Sequence, residues 1–428
     1  MISRRKIIAG SAVLAGGAIL SNPLSESLAA ISQPSGSSAG GGGEFTGVLT
    51  PNGSTLAFKN VGGVKVFHLI AGEVEHEFAP GLKAHCWGYN GTTPGPTIEA
   101  VEGDRVRIYV TNHLPAPTTV HWHGLRIPNG MDGVNGLTQR AINPGETFRY
   151  EFTLRDAGTF MYHPHFDEMT QQGMGMMGMF IIHPRNQQNV KVDRDYAIML
   201  SEWRLDPGTR RPFTAEMTDF NLFTMNSKVY PATEALLAKT GERVRIRFGN
   251  LSAMDHHPIH LHGFQFRITD LGSGRLAESS QQIANSVLVP VGATRTIEFV
   301  ADNPGDWPLH CHMTHHTMNQ MGHSGPNMLG VDTRGLDRKV DAVVPGYMSM
   351  GQTGADDMMS MGVPANSIPM LGGDGPFGQI DMGGMFTILK VRDELNGKIG
   401  WYQHPKGTVA DVATGDELRR DGIDPNKS

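Results

Sequence analysis

The sequence predicts an all-β chain: two tandem β-barrels followed by a Met- and Gly-rich C-terminal extension. Three observations carry that reading. First, the 428 residues include 54 Gly and 26 Pro, a turn-rich composition that suits many short strands rather than long helices. Second, residues 106–110, 147–154, 244–248 and 295–300 alternate with period two, are rich in β-branched and aromatic side chains, and are bounded by Gly, Pro or Asn, as strands of sandwiches and barrels are. Third, the chain repeats itself once. Glu102-Gly103-Asp104-Arg105-Val106-Arg107-Ile108 matches Thr240-Gly241-Glu242-Arg243-Val244-Arg245-Ile246. Each copy is followed by an Asn (Asn112, Asn250), a His-x-His-Gly and a later second His-x-His. Gly103 recurs as Gly241, His121 as His260 and His163 as His310, a nearly constant offset that is the length of one ordinary domain.

Read in order, residues 1–30 are expected to be an export signal. Arg4-Arg5 precedes the small and apolar run Ile7–Leu20, and Ser27-Leu28-Ala29-Ala30 is a fitting cleavage region. The Ser-Arg-Arg-Lys-Ile-Ile string has the form of a twin-arginine signal, which places the mature protein in the periplasm. Residues 31–44 are a flexible leader without core-forming side chains. The first barrel is assigned to 45–185, the second to 186–334 and the extension to 335–428. In that last stretch only Phe386–Val391 reads as a strand. A net charge of −6 without a basic run beyond the N-terminus argues against nucleic acid. No stretch after the signal is long and apolar enough to span a membrane. The two cysteines, Cys86 and Cys311, allow at most one disulfide. None is expected, because Cys311 is assigned to metal and Cys86 to the core.

Eleven of the 19 histidines fall in four short clusters: His121-Trp122-His123, His163-Pro164-His165, His257-Pro258-Ile259-His260-Leu261-His262, and His310-Cys311-His312-Met313-Thr314-His315-His316. Residues i and i+2 of a strand share a face about 7 Å apart, so each His-x-His presents two imidazoles to one cavity. Four pairs supply eight imidazoles, enough for three copper ions with positions left for oxygen. Cys311, offset by one, points to the opposite face. With His257, His316 and Met321 it makes a two-His, one-thiolate site with a weak axial thioether, the pattern of a blue-copper electron-transfer centre. One copper that accepts electrons and three that hold oxygen match the four electrons needed to reduce O₂ to water. A zinc site would leave Cys311, His316 and Met321 without a purpose.

Over residues 85–330 the chain resembles the multicopper oxidases, and within them the two-domain, laccase-like and copper-resistance group. The four histidine motifs carry the resemblance, with Gly91-Thr92-Thr93-Pro94-Gly95-Pro96 ahead of them. The resemblance implies cupredoxin-like Greek-key barrels and four copper ions. His121 and His260 would be the type 2 ligands. His123, His163 and His312 would hold one type 3 copper, and His165, His262 and His310 the other. His257, Cys311, His316 and Met321 would form the type 1 site. Asp132, in Met131-Asp132-Gly133, matches the family's acid that helps deliver protons to oxygen. A second acid that some copper-oxidising relatives carry directly after the last type 1 His is replaced here by Thr317. Each barrel carries four of the eight cluster ligands, and two-domain relatives resolve this with head-to-tail homotrimers.

Several positions keep a plainer alternative. His256 adjoins His257, and only the His-Pro-x-His-Leu-His register selects the latter. His315 is expected beside the ligands or on the surface. The 24 methionines include Gly-interrupted groups at 174–177 and 348–361, expected to handle Cu(I) through soft thioethers, whereas Met179 beside Phe180-Ile181-Ile182 is expected to fill core. The expected activity is O₂-consuming oxidation of Cu(I), with phenols or aromatic amines as the alternative substrates. A copper nitrite reductase would not need four His-x-His pairs, and a non-enzymatic copper-binding protein would not need a three-copper cluster.

Overall fold

The computed structural model describes residues 45–186, 191–206, 208–319, 342–343, 365–369 and 372–427. The signal, the leader, Met321, Met328 and the methionines at 348–361 lie outside the described residues.

The first half contributes β1 (Val48–Leu49), β2 (Lys59–Val61), β3 (Val64–Ala79), β4 (Leu82–Tyr89), β5 (Ile98–Val101), β6 (Arg105–Asn112), β7 (His121–His123), β8 (Thr147–Thr153), β9 (Gly158–His163), α1 (Glu168–Gly173) and β10 (Gly178–His183). The second half contributes β11 (Arg194–Trp203), β12 (Leu222–Met225), β13 (Leu236–Lys239), β14 (Arg243–Asn250), β15 (His257–Leu261), β16 (Phe266–Asp270), β17 (Gln282–Ala284), β18 (Ser286–Val289), β19 (Thr294–Val300) and β20 (Gly305–Cys311). A small hairpin of β21 (Asp374–Gly375) and β22 (Gly378–Gln379), the strand β23 (Phe386–Arg392) and the helix α2 (Gly415–Arg420) follow.

Each barrel is two sheets packed over an apolar core. The first sets β2-β3-β6-β8, with β4 on β3, against β5-β10-β9-β7. The second sets β1-β11-β14-β19-β16-β17, with β12 on β11, against β13-β23-β20-β15-β18. The repeat read from the sequence is therefore a repeat of topology. The parallel pair β3·β6 with antiparallel β8 recurs as β11·β14 with β19, and β5-β10-β9-β7 recurs as β13-β23-β20-β15. The alternating segments become strands because one face of each is apolar: Val106, Ile108 and Val110 are fully buried in the first core, and Val244, Ile246 and Phe248 in the second. At full burial each such side chain contributes about 1.5–3 kcal/mol.

Two expectations about boundaries need correction. The strand Phe386–Arg392 does not belong to an appended extension. It lies inside the second barrel, parallel to β13 and antiparallel to β20, with Phe386 opposite His310. Its counterpart β10 begins at Gly178, soon after His165, whereas β23 begins only at Phe386, far along the chain from His312. The long intervening segment hid the equivalence. Conversely, Val48–Leu49, expected in the first barrel, pairs in parallel with Asp195–Tyr196 of the second. The barrels meet over two apolar clusters, one with Phe78, Leu82 and Cys86 against Trp203 and Leu222, the other with Met161, Met177 and Met179 against Met199 and Leu251.

A truncation experiment separates the roles of the C-terminal pieces. A chain ending at residue 385 loses β23 from between β13 and β20 and should not fold its second barrel. A chain ending at residue 402 keeps that strand and drops a segment whose residues are nearly all exposed. Its thermal midpoint is expected within a few degrees of the full chain, since removing such a surface segment costs about 0.5 kcal/mol or less; calorimetry of the three forms checks both outcomes.

Candidate metal centres

The same strand geometry builds a quartet of imidazoles in each barrel. In the first, His121 on β7 stands opposite His163 on β9. The His121 ring lies 5.7, 5.4 and 5.7 Å from those of His123, His163 and His165. In the second, His260 on β15 stands opposite His310 on β20, and its ring lies 4.7, 5.7 and 5.6 Å from those of His262, His310 and His312. Within each quartet one pair of ring nitrogens converges: His123 Nδ1 on His163 Nε2 at 3.2 Å, and His262 Nε2 on His310 Nε2 at 3.1 Å. Two nitrogens each about 2 Å from one ion stand about this far apart.

Backbone carbonyls set which nitrogen is free to ligate. His121 Nδ1 donates to Asp132 O at 2.7 Å and His260 Nδ1 to Asn285 O at 2.7 Å. His163 Nδ1 donates to Pro164 O at 2.9 Å and His310 Nδ1 to Cys311 O at 2.8 Å. Each bond fixes the tautomer and leaves Nε2 as the lone-pair donor. Burial, ahead of neighbouring imidazoles, lowers the basicity of His123, His262 and His310 and pushes His163 down to about 3. These four rings are neutral at neutral pH, the form that binds metal.

The third group is buried in the second barrel. Cys311 Sγ lies 3.8 Å from His257 Nδ1 and 3.4 Å from His316 Nδ1, and the two nitrogens are 3.2 Å apart. A thiolate and two imidazoles converging in this way form a donor set for a copper ion. Burial pushes the Cys311 thiol up to about 12 and the His257 imidazole down to about 3, so a bound cation must drive off the thiol proton. The far nitrogens are also held. His257 Nε2 hydrogen-bonds Ser252 Oγ at 2.7 Å, His316 Nε2 lies 3.4 Å from Asp255 Oδ2, and Phe223 stacks on the His316 ring at 3.9 Å. Behind Asp255, Glu202 accepts from the backbone N–H of Met254 at 2.6 Å, and burial with the adjacent Asp255 carboxyl raises its pKa to about 9.

Asp132 sits against the first quartet: besides its carbonyl bond to His121, its carboxylate lies 3.6 Å from His121 Nδ1. Gly133 follows because a Cβ there would meet Val120 O at 1.8 Å and its φ is +86°. His256 accepts from Val291 N at 3.1 Å, away from the thiolate group. The His315 ring lies 4.3 Å from that of His316. Cys86 and Cys311 are free thiols, and Cys86 is buried.

Residues that sequence reasoning passed over are Ser252, Asp255, Glu202, Asn285, Glu168 and Gln171. The repeat register could have found some of them. Asn112 and Asn250 brace matching loops, accepting from Leu114 N and Ser252 N respectively, so Ser252 is where the second loop gains a hydroxyl. By the same register, His257, Cys311 and His316 correspond to Thr118, Pro164 and Met169. In the first barrel the space is closed by Gln171, fully buried, which accepts from Thr118 Oγ1 at 2.6 Å and donates to Pro117 O at 2.7 Å.

The methionines at 174–177 are not placed for copper handling. Met174 and Met176 are buried in the first core and Met177 between the barrels, despite the interrupting glycines. Gly175, at φ +113°, is packed so tightly that a Cβ would meet the Trp203 ring at 2.6 Å. The glycines let the chain turn through the core, and the thioethers fill it. Met179 is buried as well.

Two barrels of this topology, one with a buried Cys-His-His group whose cysteine adjoins a quartet imidazole on the same strand, define a tandem cupredoxin-type copper protein. Two family models described as multicopper oxidase match residues 71–187 and 205–326, together more than half of the chain, and the chain belongs to the multicopper oxidase family. It is similar to a copper resistance protein A of Escherichia coli, 30% identical over 227 residues that cover 42% of this chain and 37% of that protein. A laccase of Cryptococcus neoformans is 30% identical over 217 residues, 42% of this chain and 34% of that one. The chain thus aligns with only about a third of the length of these curated relatives. Among solved structures, the blue copper oxidase of Nitrosomonas europaea matches with a TM-score of 0.57 and 26% identity, over 76% of this chain and 85% of that one.

Stability of the metal-free protein should fall as pH falls. The His163 and His257 imidazoles sit near 3 when folded against 6.5 ordinarily. Between those values the unfolded chain binds protons that the folded chain refuses. The expected loss across that window is on the order of a few kcal/mol, read as a falling thermal midpoint. A flat profile would contradict the buried neutral imidazoles.

Proposed function

We propose that this protein couples one-electron oxidation of a substrate, Cu(I) by preference, to four-electron reduction of O₂ to water. Bound copper would supply the redox chemistry: one ion takes electrons singly and three bind and reduce oxygen. The observation that carries the reading is the continuity of β20. His310 and Cys311 are adjacent residues of one strand, one in the rim quartet and the other in the buried thiolate group, so the electron route between centres is a few covalent bonds.

In this reading His257, Cys311, His316 and, outside the described residues, Met321 hold the type 1 copper. His121 and His260 hold the type 2 copper. His123, His163 and His312 hold one type 3 copper, and His165, His262 and His310 the other. Asp132 lies beside His121, open enough to solvent to pass protons from it.

A cluster of this kind needs both quartets, and within one chain they form separate groups: among the described residues no ring contact or hydrogen bond joins them. His165, His260 and His312 retain solvent exposure. Exposed apolar residues lie near each quartet, Met169 next to Glu168 by the first and Leu288 on the strand that pairs with β15 by the second. We infer a head-to-tail homotrimer in which one chain's first quartet meets the next chain's second. Sedimentation of the copper-loaded protein is expected to give a trimer; a monomer with full copper content would refute this assembly.

The name of the Escherichia coli relative and the exposed Met254 beside Asp255 favour Cu(I). The burial of Met174, Met176 and Met177 favours the second reading, a laccase acting on phenols or aromatic amines. None of the described helices is long and apolar enough to cross a membrane, and we place the protein in the periplasm, exported by the twin-arginine route. O₂ uptake by copper-loaded protein, fed Cu(I) or a phenol in turn, decides between the substrates. Cys311→Ser is expected to lose the blue absorption and nearly all uptake with either, since the electron entry is gone. Uptake unchanged in that variant, or absent from fully loaded wild type, would overturn the oxidase reading.

A further inference from the structure

The two barrels use the loop after their second His-x-His in opposite ways. In the second barrel the residues after His312 turn inward, and His316 joins Cys311 and His257. In the first barrel Gln171 occupies that space, and the loop becomes α1, lying at the rim. Its first residue, Glu168, corresponds to His315 in the repeat register. The residue before it, Asp167, takes a left-handed conformation with φ 42° and ψ 54°, rare for a side chain other than Gly, Asn or Asp. The Glu168 carboxylate that follows lies against two rings of the quartet: Oε1 is 3.4 Å from His163 Nδ1 and Oε2 is 4.0 Å from His165 Nε2.

The platform beneath Glu168 is firmly held. Gln171 is anchored to Thr118 and Pro117, Gln172 donates to Leu251 O of the second barrel at 3.1 Å, and His165 N donates to Thr119 Oγ1 at 3.0 Å. His163 Nδ1–H therefore faces both its own backbone acceptor, Pro164 O, and a carboxylate. His310, its counterpart, has the matching acceptor Cys311 O and carries His315 where Glu168 would be.

We propose that Glu168 is a positioning residue of the three-copper site. Its carboxylate lies behind the Nδ1 edge of His163 and near His165, helps orient the His163 ring and places a negative charge beside the cations the two rings would hold. This rests on the assignment of His163 and His165 as copper ligands. Carboxylates behind ligating imidazoles orient the rings and strengthen them as donors, and losing one costs about 10–100-fold in metal affinity or activity.

The test uses full-length, copper-loaded protein and the variants Glu168→Gln and Glu168→Asp. Copper per chain, release of copper to a chelator, the near-ultraviolet absorption of the paired coppers and the blue absorption of the Cys311 site are measured together. Glu168→Gln should release cluster copper about 10–100-fold more readily and weaken the near-ultraviolet band, while the blue band stays. Glu168→Asp should recover part of the loss. The carboxylate is half-exposed, so the metal-free thermal midpoint should hardly move. If the wild type binds four coppers and Glu168→Gln keeps all of them with an unchanged near-ultraviolet band, the positioning role is wrong and the ligand assignment stands. If the wild type takes up only the blue copper, the three-copper assignment itself fails, and this role with it. A variant that loses the blue band as well, or melts far below the wild type, would mean Glu168 supports the fold rather than the site.

Discussion

The alternation of side chains along one strand is the constraint on which the rest depends. In β20 His310 faces the rim of the barrel, while Cys311, one residue on, faces the core and is fully buried. No other regular structure puts neighbouring residues on opposite sides so strictly. The strands flanking β20 follow from it. On one side β15 brings His260 opposite His310 and Ile259 opposite Cys311. On the other, the chain entering β23 closes over the thiolate loop: Cys311 N donates to Met385 O at 3.1 Å, and Met385 N donates to His316 O at 2.9 Å. Gly384 makes that approach possible. Its φ is +54°, and a Cβ there would meet His316 O at 2.4 Å.

The duplicated scaffold shows how one geometry is put to two uses. Both barrels keep the Asn brace, the paired His-x-His strands and a carbonyl behind each of His121, His260, His163 and His310. They diverge where a metal would enter the core. Thr118 and Gln171 close that space with a hydrogen bond in the first barrel, whereas His257, Cys311 and His316 converge in the second. A buried amide and hydroxyl are satisfied by each other and need no ion. Three buried donors, one of them a thiol whose proton a cation must displace, suit a bound metal.

The interface between the barrels is partly apolar and partly ionic. Thioethers of Met161, Met177, Met179 and Met199 fill it, and their flexible shape suits an irregular seam between two sheets. The ionic part centres on Asp195, fully buried, which lies 2.7 Å from Arg247 Nε, while Arg247 Nη1 donates to Thr159 Oγ1 of the first barrel at 2.8 Å. Buried ion pairs add little net stability after desolvation. This one lies within the second barrel, between β11 and β14, and holds the Arg247 guanidinium so that a remaining N–H reaches Thr159 of the first.

By itself the sequence determined the all-β class, the duplication, the identity of the clustered histidines and the offset of Cys311 between two of them. Each of these rests on local periodicity or on spacing within a few residues, and such patterns survive whatever the rest of the chain does. Tertiary structure decided what depends on contacts between distant segments. Phe386–Arg392 became a strand of the second barrel through its pairing with β13 and β20, although a long stretch of chain separates it from His312. Met174, Met176 and Met177 became core because Gly175 could turn against Trp203, a packing that no local pattern announces. Ser252, Asp255 and Glu168 came to lie against His257, His316 and His163 through loop conformations, including the left-handed Asp167. Their short polar side chains have no period to betray them, and only the folded backbone says what they face.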